Sequence, residues 1–281
     1  MGWERPDAVT IPVVMTPNGS RTVATSAEIG ALRKLLDFGR SEVSARIRAN
    51  GEPDFRLLVV GFFSRATTTL QALALLIEND FGQQAVMLNR AAFELMVDVY
   101  WIEANRELAA SRFVQHARFD QHLKRETVDR YPDLLEDLGA SGERLDEGEL
   151  ADLGKLYGRH GSRSWTGLTL YERVEAIAES FHDPRDREQL RSFRDVVHRL
   201  DNQELHPSPW SIARVLRRKR AEDGSAVLQY RMAPEPDLGQ LAVRCAWWIY
   251  LQTLHLLLEV FSVPLDDALA RLTEDVPWAI E

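Results

Sequence analysis

The sequence has one cysteine, Cys245, among 281 residues, and only four of its 34 basic side chains are lysine, so thirty are arginine. A single cysteine excludes intramolecular disulfides and zinc sites built from several cysteines, a pattern typical of a reducing cytosol. The formal net charge of −9 argues against non-specific coating of nucleic acid or membranes, because such binding needs a broad positive field. It leaves room for a local arginine site that binds phosphate or carboxylate.

The common catalytic motifs are also missing. The chain contains no G-x-x-x-x-G-K-[ST], G-x-G-x-x-G, G-x-S-x-G or H-E-x-x-H. P-loop nucleotide sites, Rossmann sites, α/β hydrolases and zincins therefore lose their usual sequence evidence. No cofactor and no metal site is expected.

Neither a targeting segment nor a membrane span is predicted. Glu4 and Asp7 precede the first apolar run and Pro12 interrupts it, which is unlike a signal peptide. The run from Leu57 to Ile77 is long enough to cross a bilayer, but Arg65 and three threonines within it favour a buried core helix. We therefore expect a cytoplasmic protein.

Apolar residues at spacings of three and four predict an all-α bundle of about seven helices. A capping box at Thr25 and Glu28 starts the first helix, and Gly51 lies where that helix is expected to end. Helices at about 57–79 and 84–105 are apolar on most sides, which places both in the middle of the bundle. A second capping box, Thr169 with Glu172, starts a later helix.

The domain prediction has three parts: an extended arm over 1–24, one helical domain over 25–263, and a short C-terminal helix or tail over 264–281. The acidic stretch 133–152 is predicted to be a solvated excursion with one short helix. The turn sequence Asp223-Gly224-Ser225 predicts a small β-hairpin near 212–232.

Three charged residues share one face of an otherwise apolar helix. Arg90, Glu94 and Asp98 repeat at four-residue spacing. Buried charges are costly unless paired, and Arg before Glu is the poorer order for a local ion pair, so partners on another helix are expected. The pattern fits a polar site inside the bundle or an ion-pair network that only fixes the packing register.

The strongest local pattern joins Arg199, Asn202 and His206 on one helix. A spacing of seven is close to two turns, so the three residues form one stripe about 10 Å long. His206 lies at the helix end, where unpaired carbonyls favour the imidazolium. Such an Arg–His pair suits a phosphodiester, because Arg neutralises charge on phosphorus and His transfers a proton to or from a ribose oxygen. The alternative is a helix-capping His206 with Arg199 paired to an acid such as Asp195.

A basic run follows this stripe, with no acid between Ser211 and Arg220. It is either a nucleic-acid contact patch or a charged hairpin edge that discourages aggregation. Its members are Arg214, Arg217, Arg218, Lys219 and Arg220.

A metal-dependent reading is a further alternative. His182-Asp183, with His160 upstream, has the ligand types of an HD-like phosphohydrolase. The single Glu-x-x-His pair, Glu179 with His182, is half of what a helical di-metal site requires.

Several of these landmarks resemble those of an uncharacterised bacterial helical family. They are Arg90-x-x-x-Glu94, Trp165-x-Gly167-x-Thr169 and Arg199…His206-Pro207-Ser208, and the resemblance covers about 54–260. Asn202 stands where that family's pattern has Ser. More remotely, Arg199 and His206, separated by six residues, resemble the signature of HEPN ribonucleases. Members of that family are helical bundles that often act as dimers, and they occur in toxin–antitoxin and antiphage systems.

That second resemblance implies that His206 is the catalytic acid–base and that Arg199 stabilises the developing charge. Asn202 and Glu94 would support this pair in the site. Arg90 and Asp98 are expected as further supporting residues. The leading functional hypothesis is a metal-independent endoribonuclease or a protein that binds RNA or a nucleotide, as a possible homodimer or with an antitoxin partner. The alternative is a non-catalytic helical module that binds a protein partner or a small ligand. An HD-like phosphohydrolase is the third.

Overall fold

The computed structural model describes residues 24–47, 54–131, 144–158, 163–181, 183–205, 216–220, 226–230, 238–274 and 276–278. These ranges are largely helical, which confirms the predicted all-α bundle. Two short strands, β1 (Leu216–Arg220) and β2 (Ala226–Tyr230), lie between the eighth and ninth helices. The helical elements are α1 (Ser26–Phe38), a π-helical turn (Gly39–Val43), α2 (Ser44–Arg46), α3 (Asp54–Glu78), α4 (Gly82–Ala104), α5 (Arg106–Arg130), α6 (Glu147–Tyr157), α7 (Leu170–Ala178), α8 (Pro184–Leu205), α9 (Gly239–Val260) and α10 (Asp266–Glu274).

Helix α4 is central, as its apolar circumference predicts. It packs against α3, α7, α8 and α9, and it buries Phe93 and Met96 completely. Helix α9 is equally enclosed, with Trp247 and Tyr250 fully buried. Helix α3 differs from the prediction, because one side of it is open and Leu75 is 53% exposed.

The first helix begins at its predicted capping box and contains a break that the sequence did not indicate. Thr25 Oγ1 accepts from the Glu28 amide at 3.2 Å, and Glu28 Oε2 accepts from the Thr25 amide at 2.8 Å. Gly39 then opens the π-helical turn, where its backbone lies against the ring of Tyr250. The helical segment ends at Arg46, before the predicted stop at Gly51.

Glu28 also links α1 to α9. This side chain is only 2% exposed, and its Oε1 accepts from Gln240 Nε2 at 2.9 Å and from Arg244 Nε at 3.1 Å. One carboxylate therefore caps α1 and fixes the position of α1 against the central helix α9.

The second half of α5 and α6 enclose a small core of their own. It contains Phe119, Leu145 and Tyr157, and Tyr157 is fully buried. Helix α6 begins after Asp146, whose side chain accepts from the Glu149 amide at 2.8 Å. It supplies the short helix predicted for the acidic stretch 133–152, of which residues 133–143 lie outside the described part of the chain.

Strands β1 and β2 pair antiparallel, from Leu216 opposite Tyr230 to Arg220 opposite Ala226, within the range that the turn sequence predicts. The C-terminal segment packs onto the bundle, since the ring of Trp278 lies 5.9 Å from that of Trp247. Of the predicted arm over 1–24, only Ala24 is described, and the domain boundaries stay a prediction.

Two described helices are long and apolar enough to cross a membrane by length and composition. They cover Phe55–Glu78, whose apolar window is 39% buried, and Gly239–Val260, whose window is 78% buried. Extensive burial is what the core helix of a bundle shows, and such helices are weak evidence for a membrane span. The cytoplasmic location stays a prediction.

Candidate functional site

The polar centre of the bundle is built around Asp98 of α4. Asp98 is 6% exposed, and each of its oxygens has a donor from a later part of the chain. Trp165 Nε1 donates to Asp98 Oδ2 at 3.1 Å, and Arg173 Nη1 donates to Asp98 Oδ1. Arg173 projects from α7 and is 2% exposed, so the pair is enclosed by protein.

Glu94 and Arg90 continue this network towards the surface. Arg173 Nη2 lies 3.5 Å from Glu94 Oε2, and Arg90 Nε donates to Glu94 Oε1 at 3.0 Å. The side chains of Arg90 and Glu94 are 30% and 35% exposed. The predicted partner on another helix is therefore present, and the local pair between Arg90 and Glu94 forms as well.

Burial dominates the electrostatics of Asp98. It raises the pKa of this carboxyl to about 6, while the charge of Arg173 and the hydrogen bonds from Trp165 and Arg173 act in the opposite direction. The oxygens of Asp98 are engaged and sealed, so this carboxyl holds α4, α7 and the Trp165 turn together.

The turn that carries Trp165 is fixed by its own sequence. Gly167 has φ +78°, a backbone conformation that disfavours any residue with a side chain, and a Cβ there would also lie 2.9 Å from Leu156 Cδ1, which would have to move. Thr169 then caps α7, accepting from the Glu172 amide at 3.3 Å, as predicted. The Trp165 ring meets Trp101 at 5.1 Å, which seals the polar centre on this side.

Helix α8 carries Arg199 and Asn202 and runs antiparallel to α4. Phe181, just before α8, contacts Tyr100, while Phe193 contacts Phe93 nearer the start of α4. The backbone of Arg199 lies about 9 Å beyond that of Phe193. The backbone of Arg199 is therefore level with the N-terminal part of α4, whereas Asp98 lies closer to the C-terminal end of α4.

Leu190, Phe193 and Val197 form the apolar buried stripe of α8, and Arg194 beside them is 8% exposed. At about 100° per residue, the Cα atom of Arg199 lies about 120° or more around the helix from all four. The Cα atom of Asn202 lies about 120° or more from the three apolar residues and about 80° from Arg194. The side chains of Arg199 and Asn202, together with His206 and Arg214, lie outside the described residues. The basic residues from Arg217 to Arg220 form β1, of which the structure describes the backbone.

Two acids were predicted to act with the Arg199–His206 pair, Asp195 as a partner of Arg199 and Glu94 as a support, and both have other cations beside them. Glu94 pairs with Arg90 and Arg173, and Asp195 Oδ1 accepts from Arg194 Nε at 2.8 Å. A support of His206 by Glu94 stays a prediction.

Comparison with known proteins places residues 56–225 in a family described as a family of unknown function (DUF5677). The chain belongs to this family. No curated protein and no solved structure matches the chain. The assignment confirms the predicted membership of an uncharacterised helical family, and the link to HEPN ribonucleases stays a prediction.

The DUF5677 region contains the whole polar centre, from Arg90 to Arg173, and helix α8 with strand β1. It ends at Ser225, in the connection between the two strands, whereas the resemblance noted in the sequence extends to about residue 260. The features that the sequence analysis emphasised are therefore features of the family region.

The metal-dependent alternative stays a prediction. His160 and His182 lie outside the described residues, and the carboxylate of Asp183 accepts from the Arg185 amide at 2.8 Å at the start of α8. Across the described part of the chain, no group of three or more His, Cys, Asp or Glu side chains is arranged to hold a metal ion.

Sequence reasoning missed Arg173, the main partner of Asp98. Its signal was an arginine inside the apolar stripe of a capped helix, between Leu170 and Val174 and one turn before Ile177. A charge at such a position must find an opposite charge inside the protein, and Asp98 supplies it.

Proposed function

We propose that this DUF5677 protein is a metal-independent endoribonuclease of HEPN-like type, with RNA as its substrate. The observation that carries the proposal is the position of Arg199 and Asn202 on α8, away from its buried stripe and one turn or more before His206. A phosphodiester is a large anion, and only residues outside the packed face of the helix can meet it.

The chemistry assigned to these residues follows from their types. The ribose 2′-hydroxyl loses its proton as its oxygen attacks the adjacent phosphorus, the bond from phosphorus to the 5′-oxygen breaks, and the 5′-oxygen takes up a proton, so that the proton count is unchanged. His206 transfers a proton to or from a ribose oxygen, and Arg199 stabilises the negative charge that develops on phosphorus. The products are a 2′,3′-cyclic phosphate and a free 5′-hydroxyl, and no metal takes part.

Strand β1 supports the same proposal. It follows α8 closely in the chain and consists of Leu216 and four consecutive bases, Arg217 to Arg220. In a protein of net charge −9, a basic strand that follows the proposed site closely in the chain suits contacts with the RNA backbone.

The test compares RNA cleavage in EDTA by the wild-type protein and the His206→Ala variant. We expect the variant to lose cleavage by about 100-fold or more, the usual loss for a general acid–base. The control is His116→Ala, which changes a half-buried histidine on α5, away from α8. Undiminished cleavage by His206→Ala, or equal losses in both variants, would contradict the proposal.

A non-catalytic binding module is the second candidate. It is favoured by large apolar side chains left exposed on α3 and α5, including Leu57, Leu75, Phe113 and Val114. Such side chains suit a protein partner, an antitoxin or a second copy of the chain. Wild-type protein that binds RNA or a partner without cleaving RNA would favour this candidate.

A further inference from the structure

A polar pocket that contains no residue of α8 lies where the C-terminal end of α5 meets the residues that precede α6. It is a pocket of about 320 Å³, the lower end of the volumes that hold small ligands. Charged side chains dominate its wall. The lining residues are His122, Arg125, Glu126, Asp129, Arg130 and Arg144.

His122 anchors the floor of this pocket and has a defined tautomer. It is 8% exposed, and its Nδ1 accepts from the Leu145 amide at 3.3 Å. A ring nitrogen that accepts a hydrogen bond carries no hydrogen, so in the neutral imidazole the hydrogen is on Nε2. Leu145 belongs to the small core with Phe119 and Tyr157, which holds the imidazole in place.

The Nε2–H donor of His122 has no hydrogen-bond partner in the described part of the chain. Glu126 Oε1 lies 3.6 Å away, beyond hydrogen-bonding distance. A buried donor without an acceptor is unfavourable, so an oxygen-bearing ligand that reaches it gains a hydrogen bond.

Among the described residues that line the pocket, positive charge exceeds negative charge. Three arginines line the pocket against two acids, and Asp129 is already paired with Arg144. Arg130 is exposed and makes no ion pair with a described residue. A donor imidazole beside the Arg130 guanidinium suits an anion, since the tautomer presents a hydrogen rather than a lone pair to the pocket.

We propose that this pocket binds the phosphate group of a small phosphorylated molecule. His122 Nε2–H and the Arg130 guanidinium donate to the phosphate oxygens, and Arg125 adds positive charge to the wall of the pocket, while Arg144 stays paired with Asp129. The site shares no residue with the proposed ribonuclease site and does not depend on that proposal.

The test is calorimetric titration with pyrophosphate and with inorganic phosphate at constant ionic strength. We expect saturable binding to the wild-type protein and binding of pyrophosphate weakened about tenfold by Arg130→Gln, the loss of one charge-assisted contact. The matched control is Arg118→Gln, which removes an exposed arginine of the same helix that pairs with Glu149 outside the pocket. It should change the affinity by less than about twofold.

A second variant, His122→Gln, tests the buried donor, with far-UV circular dichroism and thermal melting to verify its fold. If His122→Gln unfolds, the ¹⁵N resonances of the His122 imidazole in the wild type replace it, and they must shift on addition of pyrophosphate. Absence of saturable binding, or equal weakening by Arg118→Gln and Arg130→Gln, would overturn the proposal. So would binding of a short RNA that depends on Arg130 while pyrophosphate does not bind.

Discussion

At the scale of single residues, Asp98 shows how burial changes what a carboxylate contributes. Burial raises its pKa to about 6, above the ordinary value of 3.8, despite the opposing charge of Arg173. The folded protein therefore holds this proton more tightly than the unfolded chain does. The corresponding stability is fully present below the ordinary pKa and is lost as the pH rises through about 6.

The Asp98→Asn variant should remove this pH dependence while leaving a side chain of the same shape. Between about pH 4 and pH 7, the free energy of unfolding of the wild type should fall relative to that of the variant by roughly 2–3 kcal/mol. Urea unfolding across this pH range measures the difference. Asp152→Asn, at a side chain 78% exposed, is the control and should follow the wild type. Parallel curves for wild type and Asp98→Asn would show that Asp98 does not titrate in this range.

The sequence indicates half of this residue-scale arrangement. The spacing of Arg90, Glu94 and Asp98 on an apolar helix requires opposite charges from elsewhere, because buried charges need partners. It does not identify Arg173, which is 75 residues from Asp98 in the chain. The pairing depends on how α7 docks on α4, and that is decided by the whole core.

At the scale of elements, the π-helical turn contains Gly39, where a glycine is favoured because a side chain would collide with a neighbour and not because of the backbone angles. Gly39 has φ −60°, which any residue adopts. However, a Cβ there would lie 2.9 Å from Tyr250 Cζ and closer still to the hydroxyl. The Tyr250 ring is fully buried and its hydroxyl lies 3.0 Å from Thr67 Oγ1, so the ring has little freedom to move.

The Gly39→Ala variant should therefore destabilise the protein by about 1–3 kcal/mol, the usual cost of overpacking a core. The control is Gly30→Ala within α1, where a new Cβ meets nothing within 4 Å. That variant should be stabilised by about 0.5–1 kcal/mol, because alanine is the better helix former. Urea unfolding of both variants tests the pair. Shifts of the same sign and size would mean that contact with Tyr250 does not restrict position 39.

Helix starts were more predictable than helix interiors. Thr25 with Glu28 and Thr169 with Glu172 form capping boxes because the bonds are local and depend on four consecutive residues. The break at Gly39 lies against Tyr250, more than two hundred residues away in the chain, and no local sequence pattern predicts that contact. The exposed side of α3 was not predictable either, because an apolar sequence does not reveal which of its sides the other described helices leave uncovered.

At the scale of the whole molecule, an acidic chain carries localised positive charge. The net charge is −9, yet β1 has four consecutive bases and the pocket beside His122 has three arginines. The polar centre is separate from both, because its arginines are used internally by Glu94 and Asp98. The net charge thus argues against non-specific binding along nucleic acids, but it does not indicate where local positive sites lie.

The bundle itself was predictable because the apolar circumference of α4 requires neighbours on every side. The small core of Phe119, Leu145 and Tyr157 was not, because it joins α5 to residues beyond a long acidic stretch. The packing of Trp278 on Trp247 was equally hidden, since the C-terminal segment shows no periodicity that distinguishes a packed tail from a solvated one.

If β1 contacts the RNA backbone, the arginine and lysine side chains of this strand should determine how strongly RNA binding by the whole protein depends on salt. Each phosphate contact adds about 1 to the slope of log affinity against log salt, because binding releases condensed counterions. The double variant Arg217→Gln/Arg218→Gln should therefore bind RNA more weakly and with a slope smaller by about 1 to 2.

The charge-matched control is Arg40→Gln/Arg46→Gln, which removes two exposed arginines of the π-helical turn and α2 that pair with Asp37 and Glu42. Both double variants change the net charge equally, so a general repulsion between RNA and an acidic protein would affect them alike. Fluorescence anisotropy with a labelled single-stranded RNA, from low to physiological salt, measures both slopes. If β1 forms the contact, the slope changes only in Arg217→Gln/Arg218→Gln; equal slopes in the two variants would assign RNA binding to another surface.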